Sequence, residues 1–302
     1  MERQMKIVDP HVHLCNPREI RYPWQANPNP DWFILPSGAL AKAHELPDFL
    51  SEAGEIEVLK LVHIEDNADP ADWLAESRWA QSVADDPMSA GRPNGVVAAA
   101  DLSKHDIEQT LEAQKAFPAV RGIRQILNVH KNPFYDFAGY DFMNDSAWQA
   151  GFALLEKFDL SFDLQIYPSQ MREAAALAER HPGTTLILNH TGMFVDRNTV
   201  SGWRAWRDGM RALSANPNVM VKISGMGMFD HQWTIESIRC YVLETIDCFG
   251  IDRCMFASNF PVDSLFGSYP DLWRAYDASI AGLSETEKKK LFQTNAERIY
   301  RI

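Results

Sequence analysis

Eight short apolar runs recur along 302 residues, beginning near residues 6, 56, 95, 120, 160, 184, 219 and 253. Each is followed by a helical pattern or a long loop, and this order constrains the fold more than any single motif. Runs such as 56–64 and 219–224 are rich in β-branched residues and lack polar alternation, as strands covered on both faces do. Between the runs, apolar residues take helical spacing at 46–53, 69–85, 103–116, 145–158, 169–180, 234–249, 270–283 and 284–300, and around Trp203, Trp206 and Leu213. Ser103 reads as the N-cap of its helix. Strict alternation implies parallel strands, because a parallel neighbour is reached only by a crossover. Eight such units in a chain of this length predict a (β/α)8 barrel, an α/β fold. No repeat, low-complexity segment or linker divides the chain, so the expectation is one domain over residues 1–302.

In a barrel of this kind the active site lies at the C-terminal ends of the strands, and the polar residues of this chain collect there. His11 and His13 follow the first strand, Glu65 the second and Arg124 the fourth. Gln165 and Tyr167 close the fifth, His190 the sixth and Lys222 the seventh, with Asn259 and Asp263 after the eighth. Alternation places Asp9, His11 and His13 on one face, with the two histidine Cα atoms about 6.6 Å apart. Two imidazoles so spaced can converge on one metal ion or one anionic ligand. The ring as a whole has the composition of a polar pocket.

A long irregular stretch, 16–45, follows the first strand. Asn27-Pro28-Asn29-Pro30 excludes helix and central strand there, and Trp24, Trp32 and Phe33 suggest a loop that packs down on the barrel. The chain carries 41 acidic and 29 basic residues, a net charge of −12. That balance argues against nucleic acid or an anionic membrane as partner and leaves room for a small substrate, anionic by expectation, in a locally basic pocket. Cys15, Cys240, Cys248 and Cys254 have no Cys-x-x-Cys spacing and read as reduced thiols of a cytoplasmic protein. No apolar run of membrane-spanning length and no signal-peptide pattern occurs. Homo-oligomer formation is left open.

Three motifs in this order carry a family resemblance: His11-Val12-His13, His190-Thr191-Gly192, and Ser258-Asn259-Phe260-Pro261-Val262. Together with Arg21-Tyr22-Pro23-Trp24 and the closing Asn295-Ala296-Glu297-Arg298-Ile299-Tyr300, they resemble the amidohydrolase superfamily, and within it the branch of pyrone-dicarboxylate and sugar-acid lactonases. The resemblance spans essentially the whole chain. It implies a hydrolase that opens a small carboxylated or polyhydroxylated lactone. His11, His13 and His190 would bind a divalent metal, Zn²⁺, or in metal-free members the substrate carbonyl. Arg124 would pair with a substrate carboxylate through its planar fork, with Glu65, Gln165, Tyr167 and Lys222 as further substrate-binding groups. The same branch contains metal-dependent decarboxylases of unsaturated or aromatic acids, the alternative reaction.

The chain departs from the pattern at strand eight, where the family usually has an aspartate as metal ligand and general base. Here the residue is Asn259. A neutral amide does not accept a proton from water and is a poor metal ligand. The expectation is therefore Zn²⁺ bound weakly or not at all, with Asp263 or Glu65 as the water-activating carboxylate. The rival from another class is a ligand-binding barrel that has lost its base.

Overall fold

The structure is a computed structural model that describes residues 4–27 and 37–302. Eight parallel strands pair in sequence order: β1 Lys6–Val12, β2 Glu57–Ile64, β3 Gly95–Ala99, β4 Val120–Ile126, β5 Ser161–Gln165, β6 Leu186–Leu188, β7 Val219–Ile223 and β8 Cys254–Phe256. The sheet curls until its edges meet just past the strand ends. His13 N–H donates to the Phe260 carbonyl at 2.8 Å, and Asn259 N–H donates to the His11 carbonyl at 2.9 Å. This nearly closed barrel, ringed by helices, is the (β/α)8 architecture.

The seam between β1 and β8 depends on a side chain. Pro10 has no N–H to give to a ladder, and the pairing of β1 with β2 shifts register between Asp9 and Val12. Asp9 Oδ1 takes the N–H groups of His11 at 3.2 Å and Ser258 at 3.0 Å, and Oδ2 takes the Tyr269 hydroxyl at 2.9 Å. Val8, Val62, Ile64, Val97, Ile187 and Met255 fill the barrel interior. The final helix, Asn295–Tyr300, packs against this cluster, and the Tyr300 hydroxyl reaches Asp163 on β5 at 3.0 Å.

Most helices lie where periodicity puts them, including Leu46–Ala53, Ser146–Lys157 and Ile235–Phe249. The helix at 103–116 is a correction. It runs Ile107–Lys115, and Ser103 donates to Asp101 instead of capping it. In the long loop after β1, Trp24 packs inward and its indole N–H donates to the Asp66 carbonyl at 2.8 Å. Trp32 and Phe33 lie outside the described residues. Among the described residues no helix is long and apolar enough to cross a membrane.

Candidate active site

The C-terminal ends of the strands surround a cavity of about 320 Å³. Its walls include His13, His190, Asn259, Arg124, Gln165 and Asp66, with Trp24, Phe137, Met193 and Met228 on the apolar side. His11 is fully buried beneath it. The three histidines are in contact: the rings of His11 and His13 lie 5.0 Å apart by centroid, and those of His11 and His190 lie 4.5 Å apart.

Their hydrogen bonds sort the ring nitrogens. His13 Nδ1 faces two acceptors, the carbonyls of Ile64 and Glu65, each at 3.1 Å, so it carries the proton. His13 Nε2 is then a lone pair. His11 Nε2 faces it at 3.2 Å and donates, which leaves His11 Nδ1 to accept from the Lys222 ammonium at 3.2 Å. The result is a directed chain from Lys222 through His11 and His13 to the end of β2. His190 Nδ1 meets the Ser224 hydroxyl at 3.0 Å. When Ser224 donates, the His190 Nε2–H is left for the cavity.

All three imidazoles stay neutral. Burial holds each well below the ordinary histidine range, reinforced by the positive charges of Lys222 beside His11 and of Arg124 near His13 and His190. Lys222 itself is fully buried and ion-paired to Asp163. Burial lowers it to about 8, against the raising effect of that carboxylate.

Backbone strain concentrates here. His190, Thr191, Met193 and Asn259 all have φ between 48° and 61°, a region that non-glycine residues enter at a cost. Gly225 belongs to the same arrangement. Its φ is 66°, and a Cβ there would come within 2.8 Å of the His190 ring, so the close seating of His190 on the end of β7 needs glycine.

Several residues expected in contact with substrate stand behind the cavity wall. Glu65 is salt-bridged to Arg124 Nε, and Arg124 also donates to the Glu65 carbonyl at 2.7 Å and to Gln165 Oε1 at 3.1 Å. Lys222 lies beneath His11. Tyr167 turns the other way, into a neighbouring cavity of about 300 Å³ walled by Trp203, Trp206 and Tyr241, and its hydroxyl has no protein partner. Asp263 is buried behind Asn259. Its Oδ2 accepts from Asn259 Nδ2 at 2.6 Å and its Oδ1 from Gly227 N–H at 2.9 Å. Burial nonetheless raises that carboxyl to about 7. Sequence reading missed Asp66, which does face the cavity. Burial, with the Glu65 charge beside it, pushes Asp66 well above the usual carboxylate range.

The sequence matches the amidohydrolase family over residues 8–302. The chain belongs to that family. Among curated relatives, the uncharacterised protein y4mH of Sinorhizobium fredii is 40% identical over 302 residues, covering 98% of each chain. An L-fucono-1,5-lactonase of Burkholderia ambifaria is 27% identical over 220 residues, 68% of this chain and 70% of the lactonase. Among solved structures, an amidohydrolase from Burkholderia multivorans with bound zinc superposes with a TM-score of 0.81 at 22% identity, covering 98% of this chain and 99% of that one. At that identity the superposition speaks for the shared fold.

The donor set of this amidohydrolase does not complete a metal site. Among the described residues no three His, Cys, Asp or Glu side chains are arranged to hold an ion. A metal-bound histidine normally donates its second ring N–H to a carboxylate or carbonyl. His13 has that arrangement. His11 has the reverse, with an ammonium at its second nitrogen.

Proposed function

We propose that this amidohydrolase opens a small lactone by addition of water to the ring carbonyl, and that its substrate is uncharged and polyhydroxylated. The observation that carries the reading is the convergence of His13, His190, Arg124 and Asn259 on one cavity at the strand ends. The His190 Nε2–H and the free N–H groups of Arg124 are donors for the carbonyl oxygen as it gains charge. Fixed donors in a cavity shielded from water are the largest single source of such stabilisation. The likeness to an L-fucono-1,5-lactonase supports the same reaction class.

Charge pairing favours the hydroxylated substrate over a carboxylated one. Arg124 is already neutralised by Glu65, and Lys222 by Asp163. Three of the five Arg124 donor hydrogens are committed to Glu65 and Gln165. The two that remain suit a hydroxyl or a carbonyl better than a second carboxylate, which would face the Glu65 charge. Zn²⁺ is held weakly or not at all in this reading, because the donor set lacks an anion and His11 is turned to donate. No step here passes through a metal.

The test is a panel of 1,4- and 1,5-aldonolactones and carboxylated lactones, followed by proton release with a pH indicator. Turnover of an uncharged sugar lactone is the expected result. Binding of lactones without turnover would make the protein a ligand-binding barrel. Preference for a carboxylated lactone would refute the charge argument.

A further inference from the structure

Residue 259, where the family resemblance implies a water-activating carboxylate, is asparagine. The two carboxylates nearest in sequence to the expected positions are both committed. Glu65 gives Oε1 to Arg124 and Oε2 to the N–H of Asn67 at 2.8 Å. Asp263 gives one oxygen to Asn259 and the other to Gly227. Among the described residues that wall the cavity, Asp66 is the one carboxyl.

Asp66 is held firmly at that wall. Its N–H donates to Glu76 Oε1 at 3.1 Å, and its carbonyl accepts from the Trp24 indole at 2.8 Å. The main chain is thus fixed from both sides, and the carboxyl, which lies against the Cys15 thiol, borders the cavity. Asp66 Oδ1 lies 3.6 Å from His13 Nδ1, and the wall it occupies is shared with His13, His190 and Asn259. Successive residues past the end of β2 thus differ in place: Glu65 neutralises Arg124 from behind, and Asp66 borders the cavity.

We propose that Asp66 is the catalytic carboxylate of this site, replacing the strand-eight group that Asn259 cannot supply. This rests on the lactone-hydrolase reading above. In its ionised form, which burial and the Glu65 charge shift to higher pH, the Asp66 carboxylate takes a proton from water as the water oxygen bonds to the ring carbonyl carbon. The carbonyl electron pair moves onto its oxygen, held by His190 and Arg124. On collapse the bond from the carbonyl carbon to the ring oxygen breaks, and Asp66 returns the proton to that oxygen, which leaves as an alcohol. The product is the open hydroxy acid, whose carboxyl proton goes to solvent. Asp66 ends as it began.

The experiment compares Asp66→Asn, Asp66→Ala and Asp263→Asn with wild type on a lactone the wild type opens. For both Asp66 variants kcat should fall by about 10²-fold or more, with KM within a few fold, the usual scale for losing a positioned base. Formate should restore turnover to Asp66→Ala in a concentration-dependent way and leave Asp66→Asn unchanged, because only the alanine variant has room for a replacement carboxylate. A residue that only braced the loop would show neither the kcat-specific loss nor the rescue. Should Asp66→Ala not fold, the nearly isosteric Asp66→Asn decides by itself. An Asp66→Asn enzyme with more than about a tenth of wild-type kcat overturns the proposal, and leaves the hydrolase reading standing. A wild type that opens no lactone overturns both.

Discussion

Asn259 Nδ2 donates to Asp263 Oδ2 at 2.6 Å, and the other oxygen of the same carboxylate takes the Gly227 N–H at 2.9 Å. A buried acid therefore stands behind a buried amide and fixes which way it points. Asn259 has φ of 61° and its N–H closes the barrel seam on the His11 carbonyl. Asparagine enters that backbone region more readily than most residues, so the position suits it locally, and its neutral amide takes no proton from water.

Asp263→Ala should then act on stability more than on chemistry. It leaves the Gly227 N–H and one Asn259 N–H buried without acceptors, at a cost of about 1–3 kcal/mol each before relaxation. Urea unfolding should show a loss on this scale, while kcat falls by less than about tenfold. A 10²-fold loss of kcat in a stably folded Asp263→Ala would return the role of base to Asp263.

Arg124 and Glu65 form a pair that is almost fully buried, with side-chain exposures of 2% and 5%. Arg124→Met removes the cation and strands the carboxylate, which is worth about 3–5 kcal/mol in comparable pairs. The double variant Arg124→Met with Glu65→Met should recover much of that loss, because no charge is then left unpaired. Both should lose substrate affinity alike, since both lack the guanidinium donors. Chemical denaturation and KM measured on the three proteins separate the two effects. A double variant as unstable as the single one would show that packing, and not charge, holds this corner.

The barrel is legible in the sequence because strand period and spacing carry it, and every observed strand begins within two residues of its expected start. The meeting of His11, His13 and His190 is legible for the same reason: all three follow strand ends. What alternation does not encode is depth. Lys222 has an inward position on β7 but lies a layer below the cavity, where it serves His11 and Asp163. Alternation also stops where the strand stops. Glu65 and Asp66 both lie past Ile64, the last residue of β2, and their directions are set by Arg124, Glu76 and Trp24, which come from other elements. Tyr167, past the end of β5, turns into the second cavity for a similar reason.

His63 offers a pH test that involves one group. It is fully buried on β2, its Nδ1 accepts the Leu14 N–H at 3.2 Å, and its Nε2 has no partner. Burial, with Arg124 adding to it, lowers it to about 3. The folded protein thus keeps His63 neutral, while the unfolded chain protonates it below about pH 6.5. Below that pH the unfolded state binds one more proton, so stability from this group is lost as pH falls, at about 1.4 kcal/mol per unit. In His63→Asn the amide oxygen can still accept from Leu14, but nothing titrates. The stability advantage of wild type over His63→Asn should shrink by about 2 kcal/mol between pH 7 and pH 5. Parallel unfolding profiles for the two proteins would mean that His63 titrates normally in the fold.

Asn259→Asp tests the metal question directly. Wild type should retain well under one equivalent of Zn²⁺ after dialysis, because its neutral imidazoles leave the charge of the ion unbalanced and Lys222 holds His11 in the donating form. An aspartate at 259 would supply an anionic oxygen next to His11 and His13. It would also place a second carboxylate within 2.6 Å of the oxygen of Asp263 that Asn259 now contacts. Two such groups cannot both ionise easily, so without metal they share a proton. Zn²⁺ replaces that proton, and the ion and the like-charge strain then favour each other. The affinity of Asn259→Asp for Zn²⁺ should exceed that of wild type by at least about tenfold. It should rise with pH, because the shared proton must leave and His11 must free its Nε2 lone pair by moving its proton to Nδ1, against Lys222. With Lys222 lowered to about 8, that second requirement eases towards mild alkali. Competition with a chromophoric chelator at pH 6.5 and 8.5 measures both effects. A wild type that keeps one equivalent of Zn²⁺ through a mild chelator would contradict the account, and would require His11 to present a lone pair with Lys222 turned away from it.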